Sequence, residues 1–394
     1  MPIRIPSRVA NIAVAQFDIL NSRAAELRAQ GRSVISLGQA VPGFGPPKAA
    51  LDAAAAVLPE HVTHLYSADA GLLELREAVC GYLSSRHAVR ATPQDLIITA
   101  GGNQAVMLAL MTLVDAGDDV LLPAPYFANH EMAIRAVGAT PIEIALTEEQ
   151  GFRLRWDHLA SALTARTRAA VICTPSNPTG AIIDPTDATR IVAELARRNI
   201  VVISDEAYMD FVYGAPHWSL ASLAAWRDNV VLVGTFSKSF GMTGWRVGYM
   251  LADAGVTTHA VKVQDAMIIC ATVIAQRAVG AALRETPDYT STFLPEFTRR
   301  RDVLSGRLAR IPRLHWVPAS GGFFAFVRVD GCTSSVALAS DILERAHVVT
   351  IPGATFGKAG EGYLRFSYGT ATSDQIDEAF DRLEQYFRLR TDSS

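Results

Sequence analysis

The chain has 394 residues, 49% of them hydrophobic and 19% charged, with a formal net charge of −3 at pH 7. That composition is ordinary for a packed globular protein; it excludes a disordered chain, and no global field invites nucleic acid or an anionic membrane. The four cysteines, Cys80, Cys173, Cys270 and Cys332, stand far apart without a CxxC pair, which fits free thiols in a reducing compartment and neither a disulfide frame nor a zinc site.

The opening stretch MPIRIPSRVANIAVAQFDIL is apolar but interrupted by Asn11, Gln16 and Asp18, so it reads as an amphipathic helix and not as a signal peptide. No apolar run approaches the ~20 residues that cross a bilayer, and the expected location is the cytoplasm. From about residue 95 to 250, short β-rich runs alternate with helical stretches. The strand candidates are Leu96–Thr99, Asp119–Leu122, Thr140–Ile144, Ala169–Cys173, Ile200–Ser204, Val230–Gly234 and Val247–Leu251. Helices are expected over Gln104–Val114, Asn129–Val137 and Pro185–Arg198. Continuously apolar strands are what a parallel sheet needs when helices cover both its faces, so the fold class is α/β with a mostly parallel sheet.

After about residue 290 the texture changes. A long helix, Pro295–Arg310, carries the basic run Arg299-Arg300-Arg301 with Arg307 and Arg310, which reads as a solvated face. Then come a strand at Gly322–Val329, a helix at Ser334–Ala346, strands at Val348–Ile351 and Leu364–Tyr368, and a last helix at Ser373–Arg388. This is the pattern of a smaller α+β domain. With the helix before Gly31 packed against it, the expected division is a large domain over 45–290 and a small one built from 1–44 and 291–394.

Four local patterns carry chemistry. Thr174-Pro175-Ser176-Asn177-Pro178-Thr179-Gly180 follows one predicted strand, Asp205-Glu206-Ala207-Tyr208 ends the next, and Ser237-Lys238-Ser239-Phe240-Gly241 follows a third, with Gly244-Trp245-Arg246-Val247-Gly248 just behind. Arg365 sits in Leu364-Arg365-Phe366-Ser367-Tyr368. Three of these lie at C-terminal strand ends, where open α/β sheets hold their ligands. Gly101-Gly102-Asn103-Gln104 lies between a strand and a helix, where backbone N–H groups can meet an anion. There is no GxGxxG or HExxH, and His61 and His64 read as loop and surface residues, so no metal is expected.

In this order, SNPTG, DEAY, SKSFGMTGWRVG and LRFSY resemble the fold-type I, class I/II aminotransferase family, over about residues 36 to 386. The resemblance implies pyridoxal 5′-phosphate (PLP) as cofactor and Lys238 as the lysine whose amine condenses with it. It implies Asp205 beside the pyridine nitrogen, Tyr208 and Asn177 on the phenolic oxygen, and Phe127 stacked on the ring. Gly102, Asn103, Thr235, Ser237 and Arg246 match the phosphate site. Arg365 matches the residue that grips the substrate α-carboxylate, a bidentate job that lysine does poorly. Tyr66 matches a tyrosine that reaches the phosphate in the neighbouring subunit, which implies a homodimer.

The implied reaction moves an amino group between an L-amino acid and a 2-oxo acid with ping-pong kinetics. The same fold and lysine also serve β- and γ-lyases, cyclases, racemases and catalytically silent regulators. Ala40 stands where the family commonly has glycine, Gly43 where it has aspartate, and His130 where it often has tyrosine. With Ala40 bordering the substrate and Phe17, Phe44, His130 and Phe323 expected to line its pocket, a neutral, aromatic or polar side chain is favoured over that of Asp or Glu.

Overall fold

A computed structural model of the chain describes residues 3–13, 16–214 and 216–391. The amphipathic N-terminal stretch is helical over Ser7–Ala10 and again from Gln16 to Ala29, while Met1, Pro2, Val14 and Ala15 lie outside the described residues. After a two-residue strand β1 (Ile35–Ser36) come β2 (Leu96–Thr99), β3 (Asp119–Ala124), β4 (Thr140–Ala145), β5 (Thr167–Cys173), β6 (Val201–Asp205), β7 (Val230–Thr235) and β8 (Gly248–Leu251). These last seven form one sheet in the order β2-β8-β7-β6-β5-β3-β4.

The strands are apolar on both faces because each face meets its own layer. Val120, Leu122, Val171, Ile203, Val231, Val233 and Met250 join one buried cluster, with Ala105, Leu108 and Ala109 of the helix Gly102–Leu113. Their neighbours Leu121, Ala170, Ile172, Val202, Leu232 and Leu251 join the other. There they meet the helix Pro185–Ala196, whose Ala188, Ile191, Val192 and Leu195 recur at helical spacing. Asp184 caps that helix by accepting from the N–H groups of Thr186 and Asp187, ahead of Pro185 in the first turn. Each large aliphatic side chain buried this way contributes roughly 1.5–3 kcal/mol.

β3 to β7 run parallel, but β8 runs antiparallel to both β2 and β7. Hydrophobic period reports which faces are covered and says nothing of strand direction. The register sets Cys173 beside Asp205 and Asp205 beside Val233, so the ends of β5, β6 and β7 lie side by side.

A second, antiparallel sheet takes β9 (Leu314–Trp316), β10 (Phe324–Val329), β12 (Ile351–Pro352) and β13 (Tyr363–Ser367) in the order β12-β13-β10-β9. The expected strand Val348–Ile351 is divided. Val348 and Val349, strand β11, pair in parallel with Ile35 and Ser36, whereas Ile351 and Pro352 pair with β13. The two chain ends also meet through Arg23 and Glu344, 2.6 Å apart, and through Ser367 N–H donating to the Leu37 carbonyl at 2.7 Å.

The basic run is not uniformly solvated. Arg299 is exposed, but Arg307 is only 8% exposed and pairs with Asp381 and Glu384 of the last helix. Arg300 donates to the Gly369 carbonyl at 2.8 Å. These guanidiniums tie the helix Leu294–Leu308 to the C-terminal segment, a role that only the folded contacts reveal.

Gly248, at the start of β8, is packed against backbone: a Cβ there would lie 2.7 Å from Gly101 C and Gly234 O. Gly248→Ala is therefore expected to lower stability by about 1–3 kcal/mol in urea unfolding. A loss under about 0.5 kcal/mol would show that β8 moves freely away from the Gly101 turn and β7.

Candidate active site

The ends of β5, β6 and β7 face β13 across a cavity of about 350 Å³. Every residue expected to hold the cofactor within the chain borders it, as do Ala40 and Arg365, whereas Tyr66 is 78% exposed elsewhere on the surface. Three chemically distinct regions line it.

The first is an anion cradle. The helix Gly102–Leu113 begins at the cavity with Gly102 and Asn103, after Gly101 at φ +85°. The Arg246 guanidinium donates to the carbonyls of Thr243 (2.9 Å) and Ala100 (3.3 Å), and a Cβ on Gly101 would sit 2.4 Å from its Nη2. Only glycine admits that approach. Thr235 caps the short helix Phe236–Ser239 by accepting from the Ser237 N–H, and its hydroxyl donates to Ser237 Oγ at 2.9 Å. Helix N–H groups, two hydroxyls and a guanidinium thus converge, the set that a phosphate requires.

The second is a carboxylate. Asp205 ends β6, 7% exposed, with Oδ2 held 2.8 Å from His130 Nε2 and Oδ1 accepting from the Ala207 N–H at 3.1 Å. The neighbouring Glu206 points to the opposite side of the sheet, where it is fully buried and meets Ser204, His217 and the Leu220 N–H. Strand alternation thus separates two adjacent acids, one for the cavity and one for the core.

The third is a buried arginine. Arg365, 1% exposed on β13, donates from Nη1 to Asn177 Oδ1 at 2.8 Å and from Nη2 to the Gly38 carbonyl. The rings of Phe17, Phe324 and Phe356 lie 5.3, 4.9 and 5.0 Å from its guanidinium carbon. Burial brings its pKa down to about 10, and its Nε has no hydrogen-bond partner. A buried N–H left open on a cation is suited to a carboxylate.

Lys238 lies among these regions. Its amine donates to the Ala40 carbonyl at 2.6 Å and sits 5.9 Å from the centre of the Tyr208 ring. Burial, with Arg365 and Arg246 nearby, pushes its pKa down from 10.5 to about 8, against the opposing pull of Asp205. Burial also pushes the Tyr208 hydroxyl up, so it stays protonated. Phe127 borders the cavity edge-on to His130, ring centres 5.4 Å apart.

The substrate-side expectation needs correction. Phe17 borders the cavity, but Phe44 is stacked on Phe293 with ring centres 4.0 Å apart, and Phe323 packs behind Tyr208. His130 is buried against Asp205 and does not line the cavity. Asp18, Asn21 and Gln39 do line it, along with Cys173. Asp18 and Asn21 lie one turn apart on the N-terminal helix, and the polar interruption at Asp18 was the available signal.

An amine set between an anion cradle and a carboxylate has the donor set for PLP, whose phosphate, aldehyde and pyridine nitrogen need those three partners. Residues 32–383 match the family described as aminotransferase class I and II, and the chain belongs to that family of PLP-dependent transferases. It is 36% identical over 366 residues to an aromatic-amino-acid aminotransferase 2 of Thermococcus litoralis, covering 91% of this chain and 93% of that protein. It is 35% identical over 368 residues to an aspartate aminotransferase of Pyrococcus abyssi, covering 92% and 94%. The solved structure of an aromatic aminotransferase from Pyrococcus horikoshii OT3 matches with a TM-score of 0.87 at 35% identity, covering 93% of this chain and 99% of that one. The enzyme is an aminotransferase.

The depressed lysine pKa makes a pH prediction. With a pKa near 8, about one-tenth of the Lys238 amine is neutral at pH 7, against roughly one part in three thousand for an ordinary lysine. Trinitrobenzenesulfonate should modify Lys238 of the apoenzyme with a rate that rises with pH to a midpoint near 8, read by peptide mass spectrometry. A midpoint above 10 would contradict the buried setting.

Proposed function

We propose that Lys238, Asp205, Tyr208 and Asn177 hold and work with PLP in this cavity, and that the preferred amino donor has a neutral, polar or aromatic side chain. The observation that carries the reading is the convergence on one cavity of an amine, an anion cradle, a carboxylate and a buried arginine with an open N–H. When bound, PLP supplies an electron sink for the pair left on a substrate carbon that loses its proton.

The chain's own groups divide the work. Arg246, Thr235, Ser237 and the Gly102–Asn103 helix start hold the phosphate, with Phe127 against the ring. Asp205, steadied by His130, sets its carboxyl beside the pyridine nitrogen. Asn177 gives its carbonyl oxygen to Arg365, which leaves its NH₂ to donate elsewhere. Arg365 takes the α-carboxylate with its open Nε–H and an adjacent Nη–H. Lys238, largely uncharged just above its pKa, removes the α-proton and returns it.

Substrate choice follows from what else lines the cavity. Lys238, Arg246 and Arg365 are its only Lys, Arg or His side chains among the described residues, and each already has a role. Asp18, Asn21 and Gln39 instead offer an acid and two amides, which match poorly with a second carboxylate. One relative is an aromatic-amino-acid aminotransferase and another an aspartate aminotransferase, which sets the two donor classes for the comparison below.

We further propose a division at 45–290 against 1–44 with 291–394, supported by the pairing of β1 with β11, and a homodimer. Leu51, Leu58, Val62, Leu65, Tyr66 and Leu73 are large apolar side chains left exposed along one stretch of chain, as at a subunit contact. Gln276 grips this stretch from behind through Ser67 Oγ and the Leu72 N–H, so Tyr66 is held outward, where it can reach a neighbouring active site. The four free cysteines support a reducing, cytoplasmic setting, and among the described residues no helix is long and apolar enough to cross a membrane.

A panel of amino donors, with the 2-oxo acid product quantified, tests the reading. Phenylalanine, tyrosine or glutamine should exceed aspartate and glutamate in kcat/KM, and Lys238→Ala should abolish turnover. Arg365→Lys should lower kcat/KM for every donor by about ten-fold or more, since one bidentate pair is lost. Strict preference for aspartate would overturn the substrate class while leaving the transferase intact. Sedimentation should give the mass of two chains; a monomer at micromolar concentration refutes the role given to Tyr66.

A further inference from the structure

Behind the anion cradle, away from the cavity, lies a chain of hydrogen bonds that ends at Arg246. It starts at Gln264, which is fully buried on the helix Ala254–Ile268, on the face it shares with Thr257 and Ala260. Gln264 Nε2 donates to the Ile98 carbonyl of β2 at 3.0 Å. Its Oε1 accepts from Gln104 Nε2 at 2.7 Å. Gln104 Oε1 accepts from the Ala100 N–H, and the Ala100 carbonyl accepts from Arg246 Nη2 at 3.3 Å.

Each link fixes the next. The Ala100 N–H is a donor, so Gln104 must present its oxygen there and turn its NH₂ toward Gln264. Gln264 must then present its oxygen to Gln104 and its NH₂ to Ile98, whose carbonyl can only accept. Neither amide can flip without leaving buried groups unpaired. β2 is an edge strand, paired only with β8, so its outward carbonyl at Ile98 has no strand partner. Gln264 supplies one, and in doing so it anchors the turn Thr99–Gly102 at the point where β2 gives way to the helix.

We propose that Gln264 is a positioning residue for the phosphate site: through Gln104 and the Ala100 peptide it sets the turn that carries the helix N–H groups and receives Arg246. The inference rests on the reading that this cradle holds the cofactor phosphate. A group that acts on the phosphate site alone should affect PLP and leave pyridoxal, which lacks the phosphate, untouched. A side chain needed only for general packing would change both alike.

The test titrates apoenzyme with PLP and, separately, with pyridoxal, following cofactor absorbance for wild type, Gln264→Leu, Gln264→Glu and Arg246→Ala. Gln264→Leu should raise the Kd for PLP about ten-fold, as expected for an unpaired buried amide, and change that for pyridoxal less than about two-fold. Gln264→Glu keeps the shape and carries the test if the leucine variant folds poorly. Its carboxyl can replace the Nε2–H only when protonated, so PLP affinity relative to wild type at the same pH should recover as the pH falls. Equal weakening of both ligands, or of neither while Arg246→Ala weakens PLP selectively, overturns the role of Gln264. If Arg246→Ala fails to separate the two ligands, the phosphate reading itself fails and takes this proposal with it.

Discussion

Three cationic side chains, Lys238, Arg246 and Arg365, face one cavity against two acids, Asp205 and Asp18, and this excess of positive charge governs the rest of the site. The excess is tolerable because each cation is held differently. Arg246 is exposed to solvent on one side; Arg365 is ringed by three phenylalanines, each contact worth roughly 0.5–2 kcal/mol; and Lys238 relieves the repulsion by giving up its proton near pH 8. A wall so charged is organised in advance for anions, and in the proposed cycle a phosphate and a carboxylate are the anions it meets. The preorganisation comes from strand ends fixed by ladder hydrogen bonds and from a turn hydrogen-bonded to Gln104, which buried Gln264 holds in turn, so little has to move when charge arrives.

Behind the cavity a second tier of acids works in the opposite sense. Burial acts to raise the Asp210 carboxyl, but bonds from His87, Ser239 and Tyr82 overcome it and hold that group below its ordinary value. Glu206 is likewise enclosed by donors. Asp210 touches Ser239, the residue after Lys238, and Glu206 follows Asp205. The polypeptide therefore anchors Lys238 and Asp205 through their sequence neighbours, leaving both side chains to face the cavity.

Much of this was legible from the residues. β5, β6 and β7 could be read because both their faces are covered and their runs are unbroken, and the residues after each run fall at the cavity as strand ends require. Arg365 was legible only through its resemblance to a family motif, since no local signal separates it from an edge-strand charge. What escaped depends on distant partners. The direction of β8, the split between β11 and β12 and the burial of Arg307 are set by which strand or helix arrives alongside. His130 was expected at the substrate because it stands where the resembled family often has tyrosine, yet a helix turn aims it at Asp205. Asp18 and Asn21 reach the cavity only because the N-terminal helix folds back over a site made of residues far along the chain.

That fold-back carries a consequence for biosynthesis. The carbonyls that receive Arg365 and Lys238 belong to Gly38 and Ala40, near the start of the chain, and β1 pairs with residues near its end. While the protein is being made, residues 35–40 leave the ribosome long before β11 or β13 exist to receive them. The large sheet can complete its pairing while the catalytic pocket still lacks one wall. A polypeptide released before residue 365 would carry Lys238 without Arg365, and the cavity would lack its buried guanidinium. Closure of the two ends thus supplies the cavity wall that the large sheet alone leaves open.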